Sequence, residues 1–312
     1  MTRKKASDYD PGLWSLFDRY VHGGISRRDF LDGAARFAVG GVTAAALLRE
    51  LLPRYALARH VSEDDARLAT GFITYPSPAG HGEIRAYLAR PVGWYQAGQP
   101  LPAVLVVHEN RGLNPYIEDV ARRLAVEGFV ALAPDGTTPG GGYSRGIDPR
   151  DIDAFEAAEA RGREIHSSLD SARLMEDWVA AVAWLQSDAA VGRVGVTGFC
   201  YGGLVSNVLA TRIEDLGAAV PFYGRQPPLE DVSHIRAPLL IHYAEEDPGV
   251  NAGWPAYEAA LRDHGVDYEA HFYPGTFHGF HNDTTPRYDE VAARLAWERT
   301  LSFFDRHLRT PG

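Results

Sequence analysis

The chain is poor in the residue types that usually advertise a chemistry. Its 312 residues include one cysteine and two methionines. One cysteine excludes an internal disulfide, a C-x-x-C redox pair and a multi-thiolate zinc site. Long hydrophobic runs are missing too: the apolar stretch FAVGGVTAAALL at residues 37–48 is too short to span a bilayer. Basic charge is scarce, with 31 Lys/Arg against 41 Asp/Glu and a net charge of -10, and no long basic block. That balance argues against a nucleic-acid partner and leaves small molecules or proteins. No internal repeat is visible. With 45% hydrophobic residues, the chain has enough apolar material for one sizeable globular domain.

The charge is unevenly spread. Residues 1–58 hold nine Lys/Arg and six Asp/Glu, whereas the rest holds 22 and 35. Within this basic leader, SRRDFL at residues 26–31 precedes the apolar run and then ALA at residues 56–58. The pattern resembles a twin-arginine export signal with a small-residue cleavage site, implying export to the periplasm. Against it stand Arg49, Glu50 and Arg54 before the cleavage site, and LWSLFDRYV upstream, which has the spacing of an amphipathic helix. The alternative is a retained helical arm on a cytoplasmic protein, packed on the domain or on a second subunit. The division expected is therefore a leader at 1–58 and a domain at 59–312.

From residue 71 onward GFITYPSP and EIRAYLARP alternate in polarity around the turn AGHG, predicting a hairpin. Apolar strands then alternate with amphipathic helices: AVLVVH, FVALAP, RVGVTG, GAAVPFYG, APLLIHYAEED and YEAHFYPG are the strands. Fully apolar strands separated by helices predict an α/β fold, a mostly parallel central sheet with helices on both faces. Residues 135–166 form a long connection, glycine-rich at its start, and read as a lid or binding loop.

The lone cysteine lies in GFCYGG, residues 198–203, between a predicted strand and a predicted helix. G-x-C-x-G in that setting is a nucleophile elbow, a sharp turn that lifts the central side chain above the sheet edge. A helix N-terminus favours the thiolate, and the N–H of Tyr201 points where an oxyanion would form. The order nucleophile, acid, histidine is then completed by Asp247 in AEEDPGV and His278 in FHGFHND, each after a predicted strand. Glu245 and Glu246 compete with Asp247, and His281 competes with His278. No zinc site completes itself around HGFH, and His108-Glu109 is not H-E-x-x-H because residue 112 is glycine. No metal and no cofactor is called for. Glu109, in VHENRG, follows the third strand in the loop that supplies the second oxyanion N–H, here from Asn110.

Taken in order and spacing, VHENRG, GFCYGG, AEEDPGVN and PGTFHGFHND resemble the dienelactone hydrolase (carboxymethylenebutenolidase) family of the α/β-hydrolase superfamily, over roughly residues 71–308. The resemblance implies a triad of Cys200, His278 and Asp247, with Glu109 hydrogen-bonded to the resting thiol and Tyr201 and Asn110 as backbone oxyanion donors. It implies hydrolysis of a small lactone or ester through an acyl-thioester. One departure is clear: where the family places an arginine for the substrate carboxylate, four residues after the triad histidine, this chain has Asn282. Arg111, Arg225, Arg161 and Arg163 are candidate replacements, and Tyr223, in the FYGRQPP loop, is a candidate pocket residue. A broader carboxylesterase or acyltransferase is the alternative within enzymes. A non-catalytic binding or assembly module, with the leader as an oligomerisation arm, is the alternative outside them.

Overall fold

The computed structural model describes residues 4–56, 60–94 and 100–309. Its centre is an eight-stranded sheet of order β1-β2-β4-β3-β5-β6-β7-β8. Strands β1 (Leu68–Ser77) and β2 (Gly82–Pro91) form the expected antiparallel hairpin. Beyond it, β3 (Leu101–Val107), β4 (Val130–Pro134), β5 (Val191–Phe199), β6 (Ala218–Phe222), β7 (Leu239–Glu246) and β8 (Tyr268–Phe277) are mutually parallel. Parallel strands need crossovers, and the helices that provide them bury both faces.

The burial follows the strand period. In β3, Val104 and Val106 face one cluster while Ala103, Leu105 and Val107 face the other. The first cluster is covered by Ile117, Val120 and Leu124, and by Phe303 and Phe304. The second is covered by Leu174, Trp178 and Val182, by Val205 and Leu209, and by Tyr257 and Leu261. Each such large side chain contributes about 1.5–3 kcal/mol by leaving water.

Ahead of the sheet the leader folds into three short helices, α1 (Pro11–Val21), α2 (Arg27–Ala34) and α3 (Ala44–Leu51). Thereafter come α4 (Pro115–Val126), α5 (Ile152–Ser168), α6 (Ser171–Gln186), α7 (Tyr201–Arg212), α8 (Pro248–Asn251), α9 (Trp254–Asp263) and α10 (Glu290–Leu308). Helices α4 and α10 lie on one face of the sheet, α6, α7 and α9 on the other. No helix among the described residues is long and apolar enough to cross a membrane.

Two segments differ from the sequence expectation. The apolar run at 37–48 is not one continuous element: Gly40 and Gly41 adopt φ of 67° and 85°, and Thr43 then caps α3 through its hydroxyl. Residues 57 and 58 of the expected cleavage site lie outside the described residues. The expected lid at 135–166 is divided: residues 135–151 are loop apart from a short 3-10 turn at Thr138–Gly140, and from Ile152 onward it is the 17-residue α5, capped by Asp151. Alanine and glutamate in FEAAEARGREIH favour the helix despite Gly162 within it.

The leader has its own small core of Leu13, Trp14, Phe17, Phe30, Leu47, Leu48 and Leu51. It rests on the C-terminal edge of the sheet. Trp14 stacks on Phe277 with centroids 6.1 Å apart, and the Arg287 guanidinium lies over both Trp14 and Phe17. The twin arginines sit in α2, where Ser26 and Asp29 form a capping box and Arg27 pairs with Glu156 of α5 at 2.8 Å.

Candidate functional site

The elbow is forced by backbone proximity. A Cβ on Gly198 would lie 2.1 Å from the Gly202 carbonyl oxygen, and one on Gly202 would lie 2.2 Å from that of Val107. Only glycine allows β5, the turn and α7 to approach so closely. Cys200 is thereby held at φ 58° and ψ -111°, a strained conformation for a side-chain-bearing residue. Its carbonyl already accepts from Gly203 and Leu204, so it caps α7 while its sulfur stands at the helix N-terminus. Tyr201 is the first residue of that helix, and its N–H has no intrahelical acceptor.

The loops after β7 and β8 bring the other two members. His278 Nδ1 lies 2.5 Å from Asp247 Oδ2, which fixes the ring and turns Nε2 away from the carboxylate. One ring nitrogen of His278, one of His22 and the Cys200 sulfur all lie within 4.8 Å of one another. The competing residues are elsewhere: Glu245 accepts from the Gly275 N–H, and Glu246 is exposed. His281 is a core histidine. Its Nδ1 meets the Tyr116 hydroxyl at 2.7 Å, its ring stacks on Phe199, and burial pushes its pKa down to about 3.

The electrostatics at the sulfur oppose one another. Burial favours the neutral thiol, but the His278 charge and then the His22 hydrogen bond outweigh it and bring Cys200 down to about 6. His278 is raised well above its ordinary value: burial works against the imidazolium, and the Cys200 thiolate and Asp247 more than compensate. Both shifts run in the direction that favours a thiolate beside an imidazolium.

This chain belongs to the dienelactone hydrolase family. The family model described as dienelactone hydrolase family matches residues 84–308. A Saccharolobus solfataricus protein named "Putative carboxymethylenebutenolidase" is 34% identical over 250 residues, covering 72% of this chain and 94% of its own length. An Escherichia coli protein named "Putative hydrolase fragment YghX" is 49% identical over 129 residues, 41% of this chain and 97% of that one. Among solved structures, a Klebsiella pneumoniae protein titled "Putative Dienelactone Hydrolase" superposes with TM-score 0.60 at 30% identity, covering 76% of this chain and 99% of the other. The fold is accordingly that of the α/β-hydrolases, and members of the family are hydrolases of ester bonds. Residues 1–39 match a separate model, described as YqhI-like.

Four of the sequence candidates, Glu109, Arg111, Arg161 and Arg163, are engaged by other groups of the protein. Glu109 lines a small cavity of about 30 Å³ with Cys200, yet its carboxylate accepts from Arg111 and, at 3.4 Å, from Asn282. The hydrogen-bond partner of the thiol is instead His22, with Nε2 3.6 Å from Sγ. Arg111 is buried between Glu109 and Glu159 and pairs with both, while also lining the small cavity beside Cys200. Asn282 is buried, and its side chain also accepts from Thr284. Arg161 donates to the Gly140 carbonyl and Arg163 pairs with Glu159. Arg225 and Tyr223 do line a cleft of about 510 Å³ that opens onto Cys200 and His278, together with Asp18, Arg19 and His22. Asn110 follows β3 as expected, and its side chain donates to the Val21 carbonyl at 3.3 Å, tying the loop after β3 to the end of α1.

Sequence reasoning missed Asp18, His22 and Arg287. Arg287 Nη1 donates to the His278 carbonyl at 2.9 Å and pairs with Asp18 at 3.1 Å, joining the triad loop to the leader. The one local signal was the i, i+4 spacing of Asp18 and His22 on an amphipathic helix. It said nothing about a thiol 178 residues away. Together His22, Cys200 and His278 also form a donor set of the type zinc favours, the one such cluster among the described residues.

Proposed function

We propose that the protein hydrolyses small carboxylic esters or lactones with Cys200 as the nucleophile, through an acyl-thioester. The observation that carries this reading is the strained Cys200 at the elbow, with its sulfur beside a histidine fixed by Asp247. The thiolate adds to the carbonyl carbon, and the oxyanion is met by the N–H groups of Tyr201 and Asn110. As the C–O bond breaks, the His278 imidazolium gives its proton to the departing alkoxide, leaving the thioester and a neutral imidazole. His278 then takes a proton from water, the hydroxide adds to the same carbon, and the thiolate leaves as the acid forms.

The chemistry of the cleft bears on the substrate. Asn282 replaces the family's carboxylate-binding arginine and is itself hydrogen-bonded to Glu109 and Thr284, so the reading is small esters and lactones at large rather than dienelactone. The test is turnover of p-nitrophenyl acetate, p-nitrophenyl butyrate and an unsaturated carboxylated lactone by the protein and by Cys200→Ala. Cys200-dependent turnover with a low lactone-to-ester ratio supports the reading; full turnover by Cys200→Ala overturns it. Acyl transfer to an acceptor other than water is separated by product analysis with added alcohols and amines.

The twin-arginine reading of residues 26–31 implies export, and N-terminal sequencing of the protein from separated cell fractions tests it. A periplasmic protein beginning near residue 59 supports processing; a protein beginning near residue 1 supports the retained arm.

A further inference from the structure

Two helix ends of opposite polarity meet at the sulfur. Helix α7 presents its N-terminus to Cys200, and α1 ends with His22 as its C-cap. An anion is favoured at the first and a cation at the second. His22 Nε2 touches Sγ at 3.6 Å, while its Nδ1 side faces the Asp18 carbonyl at 2.8 Å and the Asp18 carboxylate at 3.4 Å. Asp18 is in turn held by Arg287. The His22 and His278 rings meet edge to face with centroids 5.1 Å apart, so two imidazoles flank one sulfur.

We infer that the N-terminal arm completes the active site: His22, held by Asp18, is a second imidazole on the Cys200 sulfur, a cation that maintains the thiolate while His278 carries the reacting protons. This rests on the assignment of Cys200 as nucleophile and on the retained-arm alternative for residues 1–58, not on their removal by processing. The arm is anchored for the task at several points besides His22. Tyr55, just after α3, hydrogen-bonds Glu159, which pairs with Arg111 and through it with Glu109. The Arg54 N–H donates to the Thr284 carbonyl at 2.8 Å, and the Tyr20 hydroxyl donates to Glu156 at 3.2 Å.

The charged groups around His22 act in both directions: Asp18 and the sulfur favour a cation there, while His278 and the arginines lining the same cavities, Arg19, Arg111, Arg225 and Arg287, oppose it. Asp18 faces it from its own helix, Cys200 from the elbow, and His278, backed by Asp247, from the loop after β8. Across a neighbouring cleft α5 presents Glu156, Arg163, Glu164 and His166, with Arg27 and Asp153 beside them. The Asp18 carbonyl and carboxylate on the Nδ1 side and the sulfur on the Nε2 side both favour a protonated ring. Its side chain is 36% exposed, so water screens part of this pairing. In turnover His22 neither gains nor loses a proton. Once the thioester has neutralised the sulfur, the remaining cation lowers the proton affinity of His278 next to it, which suits the neutral base that deacylation requires.

The test uses the full-length protein, its retained N-terminus checked by intact mass, in EDTA so that no metal occupies the Cys-His cluster. The pH dependence of Cys200 alkylation by iodoacetamide and of thiolate absorbance is measured for wild type, His22→Gln, His22→Lys and Asp18→Asn. In wild type the alkylation rate should rise through about pH 6. His22→Gln should move that inflection upward and slow alkylation at pH 6 roughly tenfold. His22→Lys should restore it, Asp18→Asn should lie between, and the acid limb of kcat/KM should follow. An alkylation profile unchanged in His22→Gln overturns the inference, as does a gain in esterase activity, which would make the arm a plug. Alkylation does not depend on ester turnover. Failure of this inference is therefore distinguishable from failure of Cys200 as nucleophile, which Cys200→Ala reports.

Discussion

Two histidines reach the same sulfur from regions built in opposite ways. His278 comes from the sheet edge, in a loop after a core strand, with its ring locked by a 2.5 Å contact to Asp247 and a side chain only 12% exposed. His22 comes from a three-helix arm with a separate small core, is about a third exposed, and is held by a longer contact to Asp18. The first region is rigid because the sheet and its helices would have to open for it to move. The second is held by a few rings, Arg287 and edge hydrogen bonds, so its free energy of local opening should be much lower. Under the roles proposed above, the comparison amounts to a division of labour: the group that would shuttle protons is fixed by the global fold, and the group that would set the charge sits where local changes can adjust it.

The largest effects should come from breaking the sheet-edge side. Cys200→Ala should lower kcat for ester hydrolysis by roughly 10³-fold or more. Asp247→Asn leaves the geometry but holds the wrong tautomer of His278, and a loss of roughly 10²–10⁴-fold is expected. The matched substitution on the arm, Asp18→Asn, should cost far less, and that contrast is checked by assaying both at one pH. If the two losses were equal, the division of labour would be wrong.

Next comes the elbow itself. In Gly202→Ala the new methyl group meets the Val107 carbonyl, so either the strand or α7 must shift, and a destabilisation of about 3 kcal/mol or more is expected in urea unfolding. The corresponding change in the arm core, Leu51→Ala, removes a fully buried side chain and should cost about 2–5 kcal/mol. Its readout should differ: proteolytic cleavage within residues 4–56 well before the domain is lost, and a thiol profile that drifts toward that of His22→Gln.

The pH dependence sharpens the same contrast. On the proposed role of Cys200 the thiolate is the reactive form, and the neighbouring His278 and His22 lower its pKa to about 6, so kcat/KM should fall as pH drops below about 6 and the sulfur is protonated. At pH 7 the resting thiolate should also be oxidised by mild peroxide, with loss of activity. A protein insensitive to peroxide would mean a thiol protonated at rest. The smallest effect is expected for Arg27→Ala in the twin-arginine pair: its bond to Glu156 is half-exposed, and the cost should be about 0–1 kcal/mol in thermal unfolding.

Much of the candidate site's placement was legible in the sequence because strand-following loops bring distant residues together by a fixed rule. Apolar runs marked β3 through β8, the parallel order put their C-terminal ends on one edge, and glycines at 198, 202 and 203 marked a turn that admits no side chain. The placement of Glu109 was not legible, because its choice between Arg111, Asn282 and the sulfur depends on side-chain geometry in a closed pocket. The helix at 152–168 was obscured by the glycines ahead of it. The arm was hardest: LWSLFDRYV announced an amphipathic helix, but periodicity does not say what a helix packs against. Where His22 lands depends on Trp14 meeting Phe277 and Arg287 meeting Asp18, contacts between residues more than 260 positions apart.

The most direct test of the central claim is to catch the acyl group. His278→Ala should be mixed with p-nitrophenyl acetate, quenched in acid within the first turnover, and analysed by intact and peptide mass spectrometry beside wild type and Cys200→Ala. The account expects an acetyl adduct on the peptide containing Cys200, persistent in His278→Ala where deacylation lacks its base, and absent in Cys200→Ala. Turnover by wild type with no adduct on Cys200, together with undiminished turnover by Cys200→Ala, would contradict it.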